Sequence, residues 1–212
     1  PMEEVEALLL LTGQGLTIDD VIKVACEREK VQISPEAQAT LEVGRQMVQR
    51  HLDSGKPAYG VSTGFGALCD TAISPDALHD LQQNLLRSHA SGVGDYFPPE
   101  VVRAAMLLRA NSLCRGQSGV RAVVVETLVQ LLNSDVVPAV HSQGSLGASG
   151  DLAPLADLAL VLLGEGRAWV GGELIAGQEA LKQAGIKPLT LEAKEGLALL
   201  NGTAFMTAVG VL

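Results

Sequence analysis

Apolar residues return at helical rather than strand intervals along most of this chain. After Ser34 and Pro35, the positions Leu41, Val43, Met47, Val48 and Leu52 mark one helix, and after Ser74 and Pro75 the positions Leu78, Leu81, Leu85 and Leu86 mark another. Both open on a serine able to cap the first turn and on a proline whose missing N–H is harmless at the first helical position. "TIDD" offers a further start, with Thr17 as cap and Asp20 placed to return a bond in a variant of the capping box. "PEVVRAAMLLRANSLCRGQSGVRAVVVETLVQLLN" predicts two long helices broken near Arg115 and Gly116, and Leu152, Leu155, Leu158, Leu162 and Leu163 mark another buried face beginning at Asp151. "AWV" and "ELI" flank Gly171-Gly172, a two-residue turn that tolerates positive φ, so one small β-hairpin is expected. The fold class is all-α, predominantly helical, without repeats or low-complexity segments.

Composition narrows the function classes. The chain has 212 residues, enough for one domain or two small ones, with 47% hydrophobic and 3% aromatic residues and a formal net charge of -9. An acidic chain without a Lys/Arg stripe is a poor partner for nucleic acid or for an anionic membrane. Cys26, Cys69 and Cys114 are widely spaced and form no C-x-x-C pair, which supports neither a disulfide framework nor a zinc site; a reducing cytoplasm is the expected location. The apolar run in "PMEEVEALLLLTGQG" is short and follows acids, unlike a signal peptide or a spanning helix. At the other end, "EAKEGLALLNGTAFMTAVGVL" stays apolar to its last residue without a stop signal. Either Leu212 lies inside an element of a longer protein, which is the expectation, or a terminal helix is buried there.

The chemistry concentrates in "GSLGASGDLAP", Gly144 to Pro154, where glycines surround Ser149. A nucleophile elbow fails because Gly150 follows Ser149 directly and no strand pattern precedes it. The G-x-x-G-x-x-G spacing is not that of a dinucleotide loop, and Asp151 stands where a Walker loop needs lysine. Two readings remain. One is a tight turn capped by Asp151. The other is cyclisation: the uncrowded Gly150 nitrogen attacks the Ala148 carbonyl and closes a five-membered ring. Loss of water, including dehydration of Ser149, then leaves an electrophilic exocyclic methylene. Glycines permit the strained dihedrals this closure needs, and the N-terminus of the helix that follows favours developing negative charge.

"GSLGASGDLAPLA" resembles the signature of the aromatic amino acid ammonia-lyases and aminomutases that build a methylideneimidazolone (MIO) group from Ala-Ser-Gly. "YGVSTGFG" (59–66), "NLLRSHASGVG" (84–94) and "EGLALLNGTA" (195–204) agree with that family in order and approximate spacing. The resemblance spans essentially the whole chain. It implies a helical architecture related to the fumarase and aspartase group and a homotetramer with sites assembled from several subunits. It implies MIO made from Ala148, Ser149 and Gly150 as the only cofactor, with no metal. By the same resemblance, Tyr59 is the catalytic base, with Gly60 beside it at the substrate on a mobile glycine-rich loop. Asn201 contacts the MIO ring or the substrate amino group, and His89 faces the substrate side chain. Residues alone read differently: Tyr59 as a packed turn residue, Asn201 as a satisfied amide inside a helix, and His89 as a cation at a helix C-terminus.

The family's downstream arginine, which holds the substrate carboxylate, has no counterpart in residues 1–212. The chain is therefore expected to be the N-terminal, MIO-bearing domain of a longer enzyme and inactive by itself. Within the family, the Ser88-His89 pair resembles the histidine-specific branch. That branch eliminates ammonia from L-histidine to give trans-urocanate. Ala204 stands where histidine enzymes commonly carry Gln. A phenylalanine or tyrosine lyase, an aminomutase, or a non-catalytic helical assembly module with an uncyclised loop are the alternatives. His51 and His79 are expected to be solvated on charged helices, His141 has no assigned role, and "NSLCRGQSGVR" (111–121) is read as scaffold.

Overall fold

The computed structural model describes residues 8–64, 73, 75–145 and 150–212, and helices dominate it. A short strand, β1 (Leu8–Leu11), precedes α1 (Ile18–Cys26) and pairs in parallel with β2 (Lys30–Ile33), Leu8 lying opposite Lys30. Thr17 caps α1 reciprocally: the Asp20 amide donates to Thr17 Oγ1 at 3.2 Å and the Thr17 amide to Asp20 Oδ2 at 2.9 Å. In α2 (Pro35–Asp53) the Ser34 hydroxyl accepts from the Ala37 amide at 3.1 Å, as its sequence predicts.

The inward face of α2 departs from expectation. Leu41 and Val48 are buried, but Val43 and Met47 are 57% and 62% exposed, and Arg45 points inward instead. A close crossing explains the rotation. A Cβ on Gly44 would stand 1.9 Å from the Gly116 carbonyl oxygen, so the backbones meet where a bare glycine permits it.

α3 (Pro75–His89) buries Leu78, Leu85 and Leu86; its expected cap, Ser74, lies outside the described residues. β3 (Val93–Tyr96) leads into α4 (Pro99–Cys114), and α5 (Ala122–Asn133) follows the expected break at Arg115-Gly116. α4 is the centre of the core: Ala104, Ala105, Met106, Leu107, Ala110 and Leu113 are all fully buried. A helix apolar around its circumference must be enclosed, and α1, α2 and α5 pack on it. Its Arg103 is also enclosed, donating to the Val24 and Leu132 carbonyls at 2.8 and 3.1 Å and to Asp135 at 3.0 Å. A guanidinium at the C-termini of two helices meets their partial negative charge, while burial pulls its pKa below the usual arginine value.

β4 (Val137–Pro138) and β5 (His141–Gln143) precede α6 (Leu152–Leu162). The expected hairpin is β6 (Arg167–Val170) and β7 (Glu173–Ala176), with φ of +57° and +86° at Gly171 and Gly172, and β4 pairs with β6 as a third strand. α7 (Gly177–Gln183), α8 (Glu195–Leu200) and α9 (Ala204–Val211) complete the chain, α9 lying against α4 and α8 against α3 and α6. β5 pairs antiparallel with β3, Val93 opposite Gln143 and Tyr96 opposite His141. A strand therefore does precede the serine loop, contrary to the sequence reading. "HSQ" has no apolar alternation, and its extended form comes from its partner rather than from its own pattern.

Candidate active site

Ala148 and Ser149 lie outside the described residues; the loop is described to Ser145 and again from Gly150. Its two flanks converge. Gly144 rests on Gly92, where a Cβ would sit 3.0 Å from the Gly92 Cα. Gly150 has φ +81°, and a Cβ there would meet Met206 Cε at 3.1 Å and Ser145 Oγ at 3.4 Å. Glycine is required at that conformation and in that space.

Asp151 does not cap the helix it opens. Its carboxylate instead accepts from the Phe205 and Met206 amides at 2.7 and 3.2 Å, capping α9 across the fold, and α6 starts without a side-chain cap. The capped-turn reading of the loop is corrected on this point. Burial pushes the Asp151 pKa up, while the two amides and the Arg109 charge pull the other way.

Asn201 is not a buried amide in a helix interior but the exposed C-terminal cap residue of α8. Arg109 holds the turn that carries it, donating to the carbonyls of Asn201, at 3.1 Å, and of Ala198. A Cβ on Gly202 would stand 2.4 Å from Arg109 Nη1, so the glycine makes room for the guanidinium. Arg109 is 6% exposed, and burial lowers its pKa to about 10. Sequence reasoning missed this residue. The available signal was an arginine inside the apolar run "AAMLLRANSL". Asn201 lines a cavity of about 380 Å³ with Arg109, Ser112, Ser118 and Thr203, the two serines lying within "NSLCRGQSGVR".

His89 ends α3. Its Nδ1 lies 2.8 Å from the Leu85 carbonyl, to which it donates, and 3.1 Å from Ser88 Oγ. Nδ1 is thus engaged by its own helix, which leaves Nε2 as the atom able to accept from another group. The segment after it, through Gly92 and β3, packs on the base of the serine loop, since a Cβ on Gly92 would lie 2.8 Å from His141 Cβ.

Tyr59 is 58% exposed in a turn in which Gly60 is buried with φ +68°. Ser62 holds this turn, accepting from the Ala58 amide at 2.9 Å and donating to the Lys56 carbonyl at 3.2 Å. Gly66 lies outside the described residues. A second groove of about 700 Å³, lined by Arg45, Gln49, Ser62, His79 and Leu191 among others, contains none of Tyr59, His89, Gly150 or Asn201. The described residues therefore gather Gly150, Asp151 and Arg109 about the start of α9, with Asn201 held by Arg109. His89 is tied to the same loop through β3 and β5, and Tyr59 stands on a separate turn.

The other histidines differ from expectation. His79 is half-buried with Nδ1 2.7 Å from the Leu191 carbonyl, and the His51 Nε2 is buried, so neither is simply solvated. His141 Nδ1 lies 2.9 Å from Asp157 Oδ2, and its ring is 4.8 Å from that of Tyr96. Among the described residues no cluster of His, Cys, Asp and Glu could hold a metal ion, and no helix is long and apolar enough to cross a membrane.

The family model described as aromatic amino acid lyase matches residues 16–212. The chain belongs to the aromatic amino acid lyase family. It is 50% identical over 204 residues to the histidine ammonia-lyase of Caldanaerobacter subterraneus subsp. tengcongensis, a match covering 96% of this chain and 40% of that protein. Among solved structures, histidine ammonia-lyase from Trypanosoma cruzi aligns with a TM-score of 0.88 at 38% identity, over 96% of this chain and 39% of that one. Tyrosine aminomutase from Streptomyces globisporus aligns at 0.90 with 38% identity, over 97% and 38%. This lyase-family chain thus spans about two-fifths of the length of the curated relative it matches.

Proposed function

We propose that this chain is the N-terminal, MIO-bearing domain of a histidine ammonia-lyase, a carbon–nitrogen lyase that converts L-histidine to trans-urocanate and ammonia. The observation that carries this reading is the 50% identity to a histidine ammonia-lyase across 96% of the chain. The Ser88-His89 pair supports the same branch of the family. The likeness to an aminomutase at comparable fold similarity favours a second reading, an aminomutase sharing the same first step.

The described flank fits an MIO group. Gly150 has a positive φ, no Cβ, and Met206 and Ser145 against it, as closure through an uncrowded glycine nitrogen requires. Formed from Ala148, Ser149 and Gly150, the group supplies an electrophile that turns the substrate's amine into a better leaving group. The chain's own residues supply the rest. The Tyr59 side-chain oxygen takes the proton from the substrate β-carbon, on a turn whose Gly60 gives the backbone freedom to bring the ring in. Asn201 holds the amino group, its carbonyl fixed by Arg109. His89, with Nδ1 bound to its own helix, presents Nε2 to the substrate imidazole as an acceptor. The working enzyme is a cytoplasmic homotetramer that takes a small amino acid and neither nucleic acid nor membrane, and residues 1–212 alone are inactive.

Product analysis in the complete enzyme tests this reading. Urocanate should form from L-histidine, with far lower kcat/KM for phenylalanine and tyrosine. In His89→Phe the substrate imidazole loses its partner, an omission costing about 1–3 kcal/mol. The histidine-to-phenylalanine preference should fall at least about tenfold. An unchanged ratio removes His89 from the site, and a β-amino acid product replaces the lyase with the aminomutase.

A further inference from the structure

We propose that His141 and Asp157 are a positioning pair for cyclisation of the serine loop, joining β5 to α6 and so holding together the two segments that the loop connects. The inference rests on the MIO reading of Ala148-Ser149-Gly150. One carboxylate oxygen makes the junction. Asp157 Oδ2 accepts from His141 Nδ1 at 2.9 Å and from the His141 amide at 3.2 Å, and the Asp157 side chain is only 9% exposed. An ionised carboxylate can only accept, so Nδ1 carries the proton. Neighbours fix both partners. Tyr96, opposite His141 in the β3–β5 pair, lays its ring 4.8 Å from the imidazole, and Trp169 meets Tyr96 edge-on at 6.1 Å. Gly92 leaves the space: a Cβ there would stand 2.8 Å from His141 Cβ and 2.9 Å from Asp157 Oδ2.

β5 ends at Gln143 and α6 begins at Leu152, so the pair ties the two sides of the loop without using any residue within it. The same two sides meet again at Gly144, where a Cβ would lie 3.2 Å from Ala153 Cβ. Ring formation needs the Gly150 nitrogen on the Ala148 carbonyl carbon, and freedom of the flanking segments opposes it. A junction formed on folding removes that freedom before the chemistry begins. In the step itself the nitrogen–carbon bond forms, and the Ala148 oxygen leaves as water with the Gly150 and Ser149 amide hydrogens. The Ser149 hydroxyl leaves with its Cα hydrogen as the second water, and no oxidant or reductant is consumed. Neither His141 nor Asp157 takes part in these bonds; each acts through the flanks it holds.

Cell-free synthesis of the complete enzyme, sampled over time, tests the pair. The mass of the peptide spanning Gly144 to Pro154 reports cyclisation as the loss of two waters, independently of activity. Asp157→Ala should slow that loss about tenfold, the factor that one hydrogen bond to a charged group represents, in protein with the parental circular dichroism spectrum. Asp157→Asn keeps an acceptor oxygen and should recover most of the rate. His141→Phe keeps a ring against Tyr96 without the Nδ1 bond; it should also slow the loss severalfold, and it serves if Asp157→Ala fails to fold. Asp20→Ala, which loses only the α1 cap, should cyclise at the parental rate. Folded Asp157→Ala or His141→Phe protein that cyclises as fast as the parent overturns the positioning role. So does an asparagine variant as slow as the alanine one, or equal slowing in Asp20→Ala. A parent peptide that stays at its full encoded mass overturns the MIO reading instead.

Discussion

Asp151 links the serine loop to α9, and replacing it separates two contributions. Asp151→Ala removes the acceptor for the Phe205 and Met206 amides, now at 2.7 and 3.2 Å. Loss of a helix cap costs about 0.5–2 kcal/mol. The buried Arg109 also loses the carboxylate that acts on it, and leaving buried groups unpaired adds about 1–3 kcal/mol. A total near 2–3 kcal/mol is expected, which in a chain of this size lowers Tm by about 4–12 °C. Asp151→Asn keeps one acceptor oxygen and removes a charge that burial disfavours, so its loss should be less than half that of the alanine variant.

The pH dependence has a definite sign. Burial raises the Asp151 pKa above 3.8 in the folded state. The folded chain therefore holds this proton more tightly than the unfolded one. The contribution is fully present below about pH 4 and falls as pH rises through the folded value. Relative to Asp151→Asn, the parent should lose stability as pH rises above about 4, as read by denaturant melts at each pH. An asparagine variant as unstable as the alanine one, or a parent that gains on the asparagine variant as pH rises, would refute the reasoning.

Two further outcomes follow from packing. Gly44→Ala places a Cβ 1.9 Å from the Gly116 oxygen and must force α2 off the α4–α5 break, destabilising the chain by about 1–3 kcal/mol or more; a denaturant midpoint within error of the parent contradicts the crossing. Burial pushes the Cys114 thiol up to about 11, so in a Cys69→Ser background alkylation near pH 8 should label the exposed Cys26 and spare Cys114 until the chain is unfolded. Equal labelling rates by peptide mass spectrometry would count against the enclosed core.

What the sequence showed was local. Thr17, Ser34 and the Gly171-Gly172 turn act through neighbours a few residues away, and their elements appear where expected. What it hid was distant. β1 finds β2 and β3 finds β5 through long-range pairing, and Asp151 caps a helix 54 residues on. Val43 and Met47 match helical spacing yet face outward, because Gly44 sets the crossing. Arg109 looked like an interruption of an apolar face and is the group that fixes the Asn201 turn. Ser149, Tyr59 and His89 gained roles only through resemblance, since spacing alone leaves each with an ordinary structural explanation.

The account rests on cyclisation of Ala148-Ser149-Gly150, and the mass of the protein tests it directly. The intact chain, and the proteolytic peptide spanning Gly144 to Pro154, should each be lighter by two waters than the encoded sequence, and Ser149→Ala should lack the dehydration of the serine. A peptide at its full encoded mass in correctly folded protein would contradict the MIO reading and leave a helical module with an ordinary glycine-rich loop.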